Sequence, residues 1–128
     1  MATDRAMLHG KVAYLQIPAV DIPASARFYR EVFGWGVRER SDGVLAFDDT
    51  TGQVSGEWVV GRVPARELGI LAYVLVDDVE ATLEKIARLG CEVVMPVTPQ
   101  KEGEAIATFR DPGGNELGIF HQRGLAQA

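Results

Sequence analysis

Cysteine is nearly absent: Cys91 is the one thiol in 128 residues. An internal disulfide is therefore excluded, and the cytoplasm is the default location. No run of about 18 apolar residues offers a membrane span. The opening "MATDRAMLHG" lacks the apolar core of a secretory leader. Positive charge is short as well, with 13 Lys and Arg against 18 Asp and Glu and a net charge of −5. That balance argues against nucleic acid, which needs a basic surface, and is compatible with a cationic ligand. "DIPASARFY" carries no glycine-rich phosphate loop, so nucleotide binding is not expected. No nucleophile motif or Cys–His pairing is present. His9 sits in a loose N-terminus without a role.

What is present is an ordinary globular composition, 47% hydrophobic and 24% charged, in a chain of single-domain length. "VAYLQI" alternates as a strand. "DIPASARFYREVFG" reads as a helix with Asp21 as N-cap, Pro23 in the first turn and Gly34 as terminator. "GVRER", "GVLAF" and "VSGEWVV" are three short strands. The order then recurs: "ILAYVLV" as a strand, "DDVEATLEKIARLG" as a helix with Asp77 and Glu80 as a capping box, then "CEVVM", "AIATFR" and "NELGIF". "PVTPQKEGE" between the last groups reads as a loop.

The chain is thus βαβββ twice, and the halves align. Asp21 meets Asp78 and Tyr14 meets Leu71 at an offset of 57. "FDDTTGQVSGEW" meets "FRDPGGNELGIF" at an offset of 62, pairing Phe47 with Phe109, Gly56 with Gly118 and Trp58 with Phe120. Gly118 is therefore no isolated flaw, although glycine inside a strand leaves nothing to pack.

Two such modules, with "DIPASARFYREVFGW", "VDDVEATLEKIARLG" and "DPGGNELGIF", resemble the vicinal-oxygen-chelate superfamily, which includes glyoxalase I, extradiol dioxygenases and bleomycin-resistance proteins. The resemblance covers about residues 11 to 121. It implies an α+β fold: two tandem modules, about 11–62 and 68–122, forming a cupped eight-stranded mixed sheet with the helices outside. Residues 1–10 and 123–128 are expected to be loose termini. It further implies a homodimer.

In metal-dependent members of that superfamily, four strand positions hold a divalent ion in the cup. The duplication puts them at Tyr14, Leu71, Gly56 and Gly118. None offers imidazole or carboxylate, so no metal and no cofactor are expected. An atypical site would draw on Gln16, Glu57, Glu116 or His121, but if Gly56 and Gly118 face inward then Glu57 and His121 face away. A register slip would reverse this. The same parity lines the cup with Tyr14, Gln16, Trp58, Leu71, Tyr73 and Phe120 above Gly56 and Gly118. This suits a small organic molecule. The two glycines either make room for the ligand or accommodate a bulky neighbour. Tyr14 or Tyr73 would be a general acid only beside a group that favours the phenolate. His121 is expected at the surface, and Cys91 as a small buried residue opening a strand. The expectation is a metal-free binding protein; the alternative is a glyoxalase-related lyase or isomerase acting next to a carbonyl. Neither nucleic acid nor a membrane is an expected partner.

Overall fold

The computed structural model describes residues 9, 12–65 and 69–122. The expected loose ends, apart from an exposed His9, and the start of the second module at residue 68 lie outside them. The elements run β1 (Tyr14–Pro18), α1 (Ile22–Phe33), β2 (Gly36–Glu39), β3 (Leu45–Asp48), β4 (Ser55–Val59), β5 (Tyr73–Leu75), α2 (Val79–Arg88), β6 (Val93–Pro99), β7 (Glu104–Arg110) and β8 (Glu116–Gln122). This is the doubled βαβββ order read from the sequence. No helix among the described residues is long and apolar enough to cross a membrane.

The eight strands form two four-stranded mixed sheets, ordered β1-β4-β3-β2 and β5-β8-β7-β6. Among the described residues no ladder joins them, so β1 and β5 are both edge strands and the expected eight strands are not one continuous sheet. In each sheet the first strand of the module runs parallel to the last, because the helix between carries the chain across the sheet.

Local chemistry sets the element ends. Asp21 caps α1, its carboxylate accepting from the Ala24 amide at 3.1 Å, and Gly34 closes the helix at φ 73°. At α2 the N-cap is Asp78, which accepts from the Ala81 amide at 3.1 Å. This corrects the capping box expected at Asp77 by one position. The expected loop from Pro96 is also corrected, since β6 continues to Pro99 with register shifts on either side of Met95. Proline is tolerated because β6 is an edge strand.

Both helices share one core. Phe28 and Tyr29 of α1 are buried with Trp35, Phe47 and Trp58 of their own module, and with Phe109, Ile119, Val79 and Ile86 of the other. Phe28 and Phe33 reach across to Phe109, with ring centroids 5.8 and 6.3 Å away. Each sheet thus has one face on this common core and one open face.

Candidate functional site

Cα partners across a ladder share a face, so pairing decides what each open face presents. In the first sheet Gln16 pairs with Glu57, Arg38 with Ala46 and Asp48 with Ser55. A polar network covers this face. Gln16 Nε2 donates to Glu57 at 2.9 Å and Arg40 Nη1 donates to the Tyr14 hydroxyl oxygen at 3.0 Å. Arg40 also lies 3.5 Å from Glu57. Arg38 and Ser55 both donate to Asp48, at 2.9 and 2.6 Å. The Arg38 guanidinium, then the Ser55 hydroxyl, hold the Asp48 carboxyl below its ordinary range. Tyr14 and Gln16 therefore lie on the open face, as expected, and Arg40 is the neighbour of Tyr14 that sequence reasoning missed.

Gly56 and Trp58 are corrections. Both face α1: Trp58 is 1% exposed and packs on Tyr29 and Phe47. A side chain at Gly56 would strike the Leu15 carbonyl and the Phe47 ring. Glu57, expected to face away, lies on the open face instead. The reason is turn length. The β3–β4 hairpin closes at Asp48–Ser55 and holds residues 49–54, whereas the β7–β8 hairpin closes at Arg110–Glu116 and holds 111–115. One extra residue shifts the offset from 62 to 61 across the turn and reverses side-chain parity. The pairing equivalent of Gly118 is Glu57, since Tyr73–Gly118 matches Gln16–Glu57.

The second sheet keeps the expected parity. Tyr73, Gly118 and Phe120 share its open face, while Ile119 and His121 are buried on the core side. The hollow over Gly118 is filled: an added Cβ would meet the Tyr73 ring. Of the two readings of this glycine, the bulky neighbour is the observed one. Leu71 precedes β5 and is 37% exposed.

Between the edge strands β1 and β5 the chain leaves a cavity of about 560 Å³. Its floor is buried: Ile17, Trp35, Phe47 and Leu117. Its rim is exposed and includes Val12, Ile70, Tyr73 and Leu75. Gln16 and Glu116 enter it from the open faces of the two sheets. Among the expected ligand-binding residues, the cavity brings Gln16 and Tyr73 together. It does not include Tyr14, Leu71, Phe120, Trp58 or the two glycines. Trp35, which follows the glycine that ends α1, was the signal available in "FYREVFGW".

Titratable groups on the core side have structural partners. The Tyr29 hydroxyl donates to Asp111 at 2.6 Å, and Asn115 Nδ2 donates to Asp111 and to the Pro18 carbonyl, at 3.0 and 2.7 Å. Asn115 Oδ1 accepts from the Ala65 amide at 3.0 Å, so the "DPGGN" turn ties together α1, the end of β1 and the inter-module segment. Burial raises the Tyr29 hydroxyl well above its ordinary pKa, with Asp111 adding to it. Burial also raises Asp111, against the opposing effect of its hydrogen bonds from Tyr29 and Asn115. Burial, then the Asp111 charge, pushes the Cys91 thiol up, which disfavours the reactive thiolate.

His121 is 4% exposed rather than at the surface, and its Nδ1 accepts from the Val79 amide at 2.8 Å. Asp78, Glu80 and His121 offer donor atoms within 4.8 Å of one another. That group lies at the start of α2, with His121 on the core side of β8, opposite its open face, and His121 and Asp78 already accept from amides of the first helical turn. At the four strand positions that hold metal in related folds, the structure sets Tyr14, Glu57, Leu71 and Gly118. Glu57 alone carries a carboxylate, and it is engaged by Gln16 and Arg40. This donor set does not fit a divalent ion, which needs about three protein ligands.

The family model for the Glyoxalase/Bleomycin resistance protein/Dioxygenase superfamily matches residues 11–119. The chain belongs to this superfamily. It is 31% identical over 91 residues to a glyoxylase-like domain-containing protein of Didymella fabae, covering 66% of this chain and 71% of that one. It is 24% identical over 119 residues to a putative glyoxylase, CFP32, of Mycobacterium tuberculosis, covering 87% of this chain and 45% of that protein. The chain thus spans under half the length of the Mycobacterium relative. Among solved structures, a glyoxalase-related enzyme from Fulvimarina pelagi superposes with a TM-score of 0.69 at 22% identity, over 88% of each chain. A lactoylglutathione lyase from Agrobacterium tumefaciens gives 0.62 at 18%, over 89% of this chain and 95% of that one. At these identities the likeness shows the fold.

Proposed function

We propose that this chain is a metal-independent member of its superfamily that binds a small organic molecule. The observation that carries this is the cavity of about 560 Å³ between β1 and β5, apolar at its floor and bordered by a few hydrogen-bonding groups. That size and lining suit a small-molecule site. The donor set at the four strand positions supports the metal-free part. The homodimer, the cytoplasmic location and the absence of nucleic-acid or membrane partners belong to the same proposal.

The test is metal analysis of purified protein, followed by thermal denaturation with Zn²⁺, Ni²⁺ and Mn²⁺ and with a panel of organic molecules. A ligand that binds only the folded state raises the melting temperature. The expected result is no stoichiometric metal, no metal-dependent shift, and a shift with at least one organic molecule. One metal per chain with a shift reversed by chelator would overturn it.

A second reading, a lyase or isomerase acting next to a carbonyl, is favoured by the Tyr14–Arg40–Glu57–Gln16 network. With Arg40 donating to its oxygen, the Tyr14 hydroxyl keeps its own proton for a substrate carbonyl. Turnover of an α-hydroxycarbonyl or hemithioacetal substrate that survives Tyr14→Phe unchanged would remove Tyr14 from that role.

A further inference from the structure

We propose that the cavity between β1 and β5 takes a cationic amphiphile, a flat apolar body carrying an amine, with Glu116 as the counter-charge. This rests on the binding reading above and deepens it, naming the place and the chemical class of the ligand.

The first argument is shape and polarity. The floor formed by Trp35, Phe47, Ile17 and Leu117 is apolar and buried, and Leu15 and Val74 continue it. Trp35 stacks on Tyr29 and on Phe47, with ring centroids 4.7 Å apart in each pair, so its indole is held rigidly. A preformed aromatic wall favours a flat apolar group, because little side-chain freedom is lost on binding.

The second argument is charge. Among the described residues, the cavity is lined by two carboxylates, Asp49 and Glu116, and by no lysine or arginine. Asp49 is engaged within its own turn, accepting from the Thr51 hydroxyl at 2.6 Å and from the Thr51 and Gln53 amides at 3.1 and 3.2 Å. Burial works to raise its carboxyl, but the Thr51, Val54 and Gln53 hydrogen bonds together hold it below the ordinary range. Glu116 differs. Its cross-strand neighbour is Arg110, but the guanidinium Nε turns to Glu92 at 3.4 Å. A carboxylate partly buried at the edge of an apolar cavity attracts a cation more strongly than one in open water. Gln16 and the Tyr73 hydroxyl stand at the same mouth to hydrogen-bond a polar head. An anionic ligand would instead meet two like charges.

The test uses three probes of one shape: 2-naphthylmethylamine, 2-naphthalenemethanol and 2-naphthylacetate. Affinities are read by calorimetry on the intact chain, with the melting temperature of each variant confirming that it is folded. The amine is expected to bind at least tenfold more tightly than the alcohol, and the acetate more weakly than either. Glu116→Gln should bring the amine down to the alcohol, while Glu31→Gln, an exposed carboxylate on α1, should change nothing. Ala72→Phe, which fills the cavity, should weaken amine and alcohol alike.

Equal affinities for all three probes, an amine preference that survives Glu116→Gln, or no binding of any probe would overturn the inference. If the probes fail here but other organic molecules still raise the melting temperature, the general binding reading stands and only this site falls. A stoichiometric metal would instead remove the general reading.

Discussion

Gly56 and Gly118 look equivalent in sequence yet do different work. The Gly56 Cα hydrogen points at the Leu15 carbonyl and the buried Phe47 ring, neither of which can withdraw. Gly118 lies under Tyr73, whose side chain is 44% exposed and free to swing outward. Gly56→Ala should therefore cost about 3 kcal/mol or more, and Gly118→Ala about 1 kcal/mol. Urea unfolding of both variants checks this; equal costs would refute the difference in surroundings. Tyr29→Phe removes the 2.6 Å bond to Asp111 and should cost about 1.5–3 kcal/mol, since a buried carboxylate loses a donor. Asp111 also has a pH signature. Its pKa is raised in the fold by burial. The folded state holds that proton more tightly, so its stabilising contribution is fully present below the unfolded value of about 3.9 and is lost as pH rises through the folded pKa. Relative to Asp111→Asn, the parent should gain stability as pH falls from 7 to 4. A flat or opposite difference across that range would show that burial does not dominate.

At the scale of elements, the two helices begin alike, each with an Asp in extended conformation whose carboxylate accepts from the amide three residues on. Asp21→Ala and Asp78→Ala should each cost about 1 kcal/mol, with Asn restoring most of it. Chemical denaturation of the four variants measures this, and an alanine variant as stable as the parent would deny the cap its role. The start of α1 was legible because capping is local chemistry, and that of α2 was read to within one residue, Asp77 for Asp78, because two adjacent aspartates compete for the cap. The β4 face was not legible. Its parity depends on how many residues the preceding hairpin holds, and "FDDTTGQVSGEW" matches its partner well by eye while differing by one residue across the turn. His121 escaped the sequence reading for a related reason: its acceptor role at Val79 exists only once β8 lies beneath the start of α2.

The whole molecule has two sheets that share a core and leave their other faces open. On the second sheet that open face carries Tyr73 and Leu75, 44% and 69% exposed. For the homodimer of the proposed function, the more exposed Leu75 is the expected contact with a second copy, with Tyr73 left at the cavity mouth. Sedimentation at micromolar concentration should give a dimer, and Leu75→Lys should dissociate it; a monomer at every concentration would rule the dimer out. The sequence by itself determined the doubled βαβββ order, the caps of α1, the superfamily, and the poverty of metal ligands at Tyr14, Leu71 and Gly118, because each follows from residue type or short-range pattern. Only the tertiary structure decided that Glu57 rather than Gly56 joins the open face, that Arg40 meets Tyr14, and that Gln16, Tyr73, Trp35 and Glu116 border one cavity. Those contacts join segments far apart in the chain, and their geometry follows from strand register and from how two edge strands are held apart by a common core.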